Sequence, residues 1–161
     1  MSFRIVPLCI AIGCLAALLS ISPAPAHATT AADGIVKLRS AHTLAETVER
    51  LRASVVAKGI MLFKVVEQSQ LAETAGVKIR PSTLIVFGNP ALGGQFLASN
   101  PYSGLDWPVR LLVVENDKGE VWVAYTDFAH IARRHGITDR ESEFALAARV
   151  VASITSSVAV K

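Results

Sequence analysis

The sequence predicts one α+β domain, a mixed α/β sandwich in which a single mixed sheet of about five strands is covered by helices. Three observations support this prediction. Segments with the period-2 pattern of strands alternate with segments of helical periodicity. The run Thr83–Phe87 is apolar and β-branched, which is typical of a strand buried on both faces. The turn sequence Asn116-Asp117-Lys118-Gly119 joins two strand-like segments as a hairpin.

Local signals support each element in turn. A capping box of Thr43 and Glu46 opens the first helix, and Gly59 ends it. Asp127 caps a later helix that stops at Gly136. The predicted elements, in chain order, are strand Ile35–Arg39, the helix between Thr43 and Gly59, strand Ile60–Glu67, short helices Ser69–Ala75 and Ala91–Ala98 on either side of strand Thr83–Phe87, strands Val109–Glu115 and Glu120–Thr126, helix Asp127–His135, and a final helix opened by a second capping box of Thr138 and Glu141.

The N-terminal segment has the composition of a secretory signal peptide. Arg4 precedes an uncharged apolar run over residues 5–21, and small residues follow it as far as the A-x-A site that ends at Ala28. We expect residues 1–28 to be removed, residues 29–34 to form a flexible N-terminus, and the mature protein to be periplasmic or secreted, with no stable membrane span.

Two alternatives for this segment are weaker. A retained membrane span is disfavoured because Pro7 interrupts a run that lies at the lower edge of bilayer-spanning length. Lipid attachment at Cys14 is disfavoured because the preceding Ala11-Ile12-Gly13 lacks the leucine of a lipobox.

Composition excludes several classes of function. Both cysteines, Cys9 and Cys14, lie in the predicted signal, so the mature chain has neither a disulfide nor a cysteine metal ligand. The net charge of +3 is small and scattered, which does not indicate a nucleic-acid-binding protein. Fingerprints of serine hydrolases, phosphate-binding loops and dinucleotide-binding folds are absent, so we predict no cofactor.

The segment Pro81–Leu105 is the most informative part of the chain, because its 25 residues carry no charge. The predicted strand within it ends at Gly88, and Asn89-Pro90 suits the start of a helix. Two interpretations are open: a tight strand-to-helix turn, or a loop whose amides bind an anion at the helix N-terminus.

Titratable residues give a second set of candidates. Asp106 and Arg110 are expected to pair with each other or to tie their loop to the sheet. A buried Asp106 would favour a functional role instead, because an unpaired buried carboxylate has a perturbed pKa. Asp127 and His130 share a helical face, but Asp127 is placed to act as an N-cap. His130 and His135 are five residues apart, which is not zinc-ligand spacing on a helix, so no metal site is predicted.

Several motifs together resemble the DUF302 family of domains of unknown function. They are Thr47-Val48-Glu49-Arg50-Leu51, the run from Arg80 to Pro90, Asn100-Pro101, Gly104-Leu105-Asp106-Trp107-Pro108, the run from Val121 to Asp127, and Arg134-His135-Gly136. The resemblance implies a DUF302-like α/β domain over residues 35–137, often dimeric, with residues 138–161 as a helical extension packed on it. The family has no established catalytic residues, so the resemblance implies no activity.

Three functional hypotheses follow. The first is an exported small-ligand-binding or accessory module in the periplasm, whose partners are a second copy, an unidentified small ligand or an envelope protein. The alternative is an enzyme with a small polar site at the strand ends, formed by Asn89, Asp106, Arg110 and Tyr125. The third is a docking surface on the final helix. The predicted ligand-binding residues are Gly88, Asn89, Asp106, Arg110, Tyr125, Asp127 and His130.

Overall fold

An antiparallel sheet lies at the centre of the structure, a computed structural model that describes residues 29–160. The predicted signal peptide therefore lies outside the described residues. The strands are β1 (Thr29–Thr30), β2 (Ile35–Arg39), β3 (Met61–Glu67), β4 (Ser82–Gly88), β5 (Val109–Glu115) and β6 (Val121–Thr126). They lie in the order β1-β2-β6-β5-β4-β3.

The α+β class and the five longer strands are confirmed, but the sheet is antiparallel rather than mixed. Every neighbouring pair of strands is antiparallel. Strands β3, β4, β5 and β6 are consecutive in the chain and adjacent in the sheet, and the chain reverses direction at each step, so the helices Gln68–Thr74 and Pro90–Ser99 lie in connections between antiparallel strands and not in parallel crossovers. The short strand β1 pairs with β2 and lies within the segment that we expected to be flexible.

Five α-helices accompany the sheet. They are α1 (Leu44–Ala57), α2 (Gln68–Thr74), α3 (Pro90–Ser99), α4 (Phe128–Arg134) and α5 (Glu141–Thr155), and a 3₁₀ helix spans Pro101–Leu105. The Thr43 cap is confirmed, since its side chain accepts a hydrogen bond from the Glu46 amide. The second capping box is wrong: α5 begins only at Glu141 and no side chain caps it. Ile137 instead closes the turn after α4, its amide donating to the Ala132 carbonyl.

The hydrophobic core lies on one face of the sheet, between the strands and α1, α3, α4 and α5. Its most buried members are Leu51, Val55, Ile85, Phe87, Leu111, Val113, Val123, Val151, Ile154 and Val158. Phe144 of α5 stacks on Phe96 of α3, with 4.2 Å between the ring centroids. The apolar stripe of α5 is thus buried, and the hypothesis that it forms a docking surface is wrong.

The other face of the sheet, which we call the open face, carries the alternate side chains of the same strands. Its apolar residues are Ile35, Val66, Leu84, Val86, Leu112, Val114, Trp122 and Ala124. All eight are only partly buried, and none belongs to the core cluster. The two faces of the sheet therefore differ sharply in how they are covered. Within residues 29–160, no helix is long and apolar enough to cross a membrane.

Candidate functional site

The turn between β4 and α3 is built by Asn89. Its side-chain oxygen accepts hydrogen bonds from the amides of Ala91 at 2.9 Å and Leu92 at 3.3 Å. Pro90 occupies the first turn of α3, as the sequence predicts. The strand-to-helix turn is therefore confirmed. Asn89 itself takes up these helix amides, so they are not presented to an anion.

The indole of Trp107 packs over two glycines near this turn. A Cβ at Gly88 would lie 2.6 Å from the Trp107 Cζ2, and a Cβ at Gly93 would lie 1.9 Å from its Cε2. Both distances are far below van der Waals contact, so the ring can occupy this position only because neither residue has a side chain. Phe96 contacts the same indole edge-on, at 6.3 Å between centroids. These contacts fix Trp107 as a rigid wall.

That wall bounds a cleft of ≈ 390 Å³, which we call the apolar cleft. It lies between α5, the ends of β4 and β5, the start of α3 and the Trp107 loop. Among its lining residues are Lys58, Phe87, Gly88, Asn89, Leu92, Trp107, Val109, Leu146, Ala147, Val150 and Val151. Of the predicted site residues, the cleft therefore holds Gly88 and Asn89.

Asp106 and Arg110 lie in a separate charged group, the Asp106 cluster, formed with Arg134 and His135. The Asp106 side chain is only 4% exposed, and its Oδ2 lies 2.7 Å from Nε2 of His135. Nη1 of Arg134 donates to both carboxylate oxygens at 3.3–3.4 Å, and Nη2 of Arg110 donates to Oδ1 at 3.4 Å. Asn100 donates to the His135 carbonyl at 2.8 Å. The cluster therefore joins the Pro101–Asp106 segment to the end of α4.

The remaining candidates surround the start of α4. Asp127 caps this helix as predicted, since its Oδ1 accepts from the Ala129 amide at 3.3 Å. Burial raises the pKa of the Tyr125 hydroxyl above its ordinary value, and the negative charge of Asp127 raises it further. His130 packs under the turn at Gly34, where a Cβ would lie 2.2 Å from the imidazole Cγ. Asp127 and His130 thus have structural roles, and Tyr125 packs against the core.

The predicted site residues therefore do not form one site. Side chains alternate along a strand, so Arg110 lies on the open face with Leu112, whereas Tyr125 lies on the core face with Val123. The enzyme hypothesis requires the side chains of Asn89, Asp106, Arg110 and Tyr125 to meet in one site, and the structure does not bring these four together. In the described part of the chain, no group of three or more His, Cys, Asp or Glu residues is placed to hold a metal ion.

Sequence reasoning missed three participants in these two regions. Arg134 and His135 reach Asp106 from 28 and 29 residues away. Their Arg-His-Gly sequence gave a helix-end signal and one of the family motifs, but neither signal pairs these residues with Asp106. The α5 wall of the cleft also had no local signal, because the pattern of this helix predicts burial but not a gap beside it.

Comparison with known proteins finds curated proteins similar in sequence and a solved structure similar in fold. The chain is 36% identical over 113 residues to Fluoride-specific ion channel FluC 1 of Brucella suis biovar 1 (strain 1330), a match that covers 70% of this chain and 44% of that protein. A protein of the same name from Brucella abortus biovar 1 (strain 9-941) matches at 36% identity over 113 residues, 70% of this chain and 42% of its own. The chain thus spans less than half the length of these curated relatives.

A solved structure matches the fold of this chain, and a family model matches its sequence. A crystal structure of a conserved DUF302 protein from Bacillus stearothermophilus superposes with a TM-score of 0.70 at 16% identity, covering 78% of this chain and 98% of that one. The profile described as "Domain of unknown function DUF302" matches residues 36–157, which extends past residue 137 through most of the C-terminal region, including α5. The chain therefore belongs to the DUF302 family.

Proposed function

We propose that this protein is an exported module that binds a small, largely apolar ligand in the apolar cleft and serves an accessory role in the cell envelope. The observation that carries the proposal is the cleft itself. Its volume of ≈ 390 Å³ falls in the range of small-molecule sites, and its walls are apolar with a few polar groups, as such sites are.

The energetics of the cleft support a ligand. Here Leu146, which is 44% exposed, faces water beside the partly buried Val150 and Trp107. Covering apolar surface stabilises a complex by roughly 25 cal/mol per Å² before the losses of association are counted. A ligand that fits between α5 and the indole would remove this surface from water.

Native mass spectrometry of the protein purified from its envelope fraction tests ligand binding. Val150→Trp would place an indole in the cleft, and Leu71→Trp, at an exposed position on α2, is the matched control. We expect a retained small molecule in the wild type and in Leu71→Trp, and its loss in Val150→Trp. Equal retention in both variants would place the ligand elsewhere, and a bare mass for the wild type, even with added apolar ligands, would contradict binding.

Export is supported by the signal-like segment that ends at Ala28. We expect the mature protein in the periplasmic or secreted fraction, with Thr29 as its first residue by N-terminal sequencing. A full-length chain recovered from the cytoplasm would contradict this part of the proposal.

Two observations support the accessory role. The channel proteins of Brucella contain a region similar to this chain as less than half of their length, and the open face offers half-buried Leu112 and Val114 to a second copy or an envelope protein. If the role is linked to fluoride, as the name of those relatives suggests, a strain lacking the protein should grow less well in fluoride than its parent. Equal growth would argue against that link.

Light scattering after size exclusion separates the two kinds of partner for the open face. We expect a dimer that Leu112→Glu dissociates, because this substitution places a charge in the middle of the face. A monomer at high concentration would exclude the second copy.

A further inference from the structure

The polar side chains among the residues that line the apolar cleft, those of Lys58, Asn89 and Trp107, can serve a ligand as hydrogen-bond donors. The oxygen of Asn89 is already bonded to two helix amides, which leaves its Nδ2 as the group able to serve a ligand. The indole Nε1 of Trp107 can only donate, and so can the ammonium of Lys58. No carboxylate is among the described lining residues.

Lys58 supplies the one formal charge of the cleft. It follows the last residue of α1 and is exposed at the cleft rim. No carboxylate of residues 29–160 lies within ion-pair distance of its ammonium. Gly59, with φ 68°, then turns the chain so that Ile60 also lines the cleft. An exposed cation thus lies at the rim of an apolar cleft with no carboxylate of residues 29–160 within ion-pair distance.

On the basis of the proposed ligand-binding function, we propose that the ligand is an apolar monocarboxylate. Its carboxylate accepts hydrogen bonds from Lys58 and Asn89 at the rim, and its apolar body lies between Trp107 and α5. The volume of ≈ 390 Å³ exceeds the ~150 Å³ of an apolar cavity that holds one benzene molecule. A medium-length acyl chain therefore fits the cleft, whereas a small polar acid would leave its apolar walls wet.

A titration with octanoate and octan-1-ol tests this charge selectivity, since the two ligands share their chain and differ in their polar end. Trp122→Phe leaves Trp107 as the only tryptophan, so its fluorescence reports the cleft, and calorimetry gives an independent affinity. We expect octanoate to bind roughly two- to fivefold more tightly than octan-1-ol, the upper part of the range for an ion pair with an exposed lysine.

Variants at one position assign the effect. Lys58→Ala should lower octanoate affinity to that of octan-1-ol and leave octan-1-ol unchanged, and Lys58→Arg should retain the preference. Lys64→Ala is the matched control, because Lys64 lies opposite Val86 on the open face. Equal affinities for the two ligands, or no effect of Lys58→Ala, would overturn the carboxylate proposal and leave ligand binding intact. No binding of either ligand would overturn both.

Discussion

Adjacent glycines in α3 allow a direct test of how Trp107 is held. A Cβ at Gly93 would lie 1.9–2.3 Å from three atoms of the indole, whereas a Cβ at Gly94 would meet nothing within 4 Å. Replacing either glycine by alanine gains helix propensity, about 1 kcal/mol in a helix interior. This gain is common to both variants, so the difference between them isolates the steric cost at Trp107.

Overpacking a tight contact typically costs about 1–3 kcal/mol. The indole is rigid and is also held by Phe96, so it can escape only by moving the loop. We therefore expect Gly94→Ala to raise the free energy of unfolding by up to ~1 kcal/mol. The free energy of unfolding of Gly93→Ala should be roughly 1–3 kcal/mol lower than that of Gly94→Ala.

Urea denaturation followed by circular dichroism measures both free energies. Tryptophan emission in a Trp122→Phe background reports whether the indole has moved, and we expect a shift for Gly93→Ala alone. If Gly93→Ala were as stabilising as Gly94→Ala, with unchanged emission, then the indole would not occupy the position from which the cleft wall is argued.

Three further predictions concern other side chains. Asp106→Ala leaves the buried His135 without its acceptor and should lower the free energy of unfolding by about 2–4 kcal/mol in urea denaturation; a loss below ~0.5 kcal/mol, as at ordinary surface sites, would refute a buried network. Asn89→Ala should lose about 1 kcal/mol while Asn89→Asp loses little, by the same measurement, and equal losses would argue against the cap. Because the pKa of Tyr125 is raised above 10.0, its absorbance change near 295 nm should occur at a higher pH than that of an ordinary tyrosine. The contribution of Tyr125 to the free energy of unfolding should be constant below pH 10.0 and should be lost as the pH rises from 10.0 through the pKa of the folded state. Asp127→Asn should bring this transition to lower pH, and an unchanged midpoint would remove the charge of Asp127 as a cause.

The elements of the fold were largely predictable because their signals are local. The β5–β6 hairpin has its turn residues in sequence, and Thr43 and Asp127 each precede the helices that they cap. The failed cap at Thr138 shows the limit of such patterns. The motif is present, but the turn that closes α4 through Ile137 delays the start of α5.

The candidate site was less predictable because it depends on contacts between distant segments. Nothing near Asp106 in sequence identifies His135 as its partner, since helix α4 must first return to the loop. The position of Trp107, which forms one wall of the cleft, depends on the absence of side chains at Gly88 and Gly93. The prediction of a mixed sheet was also wrong for a non-local reason. A chain in which strands and helices alternate can form either parallel or antiparallel neighbours, and the sequence pattern does not distinguish them.

The two faces of the sheet have a consequence for assembly. The mouth of the apolar cleft lies on the helical side, beside Leu146, whereas Leu112 and Trp122 lie on the opposite side of a sheet one residue thick. A partner that covered the open face would therefore leave the route to the cleft unobstructed. In this geometry the ligand that we propose for the cleft and a partner on the open face would not compete with each other for surface.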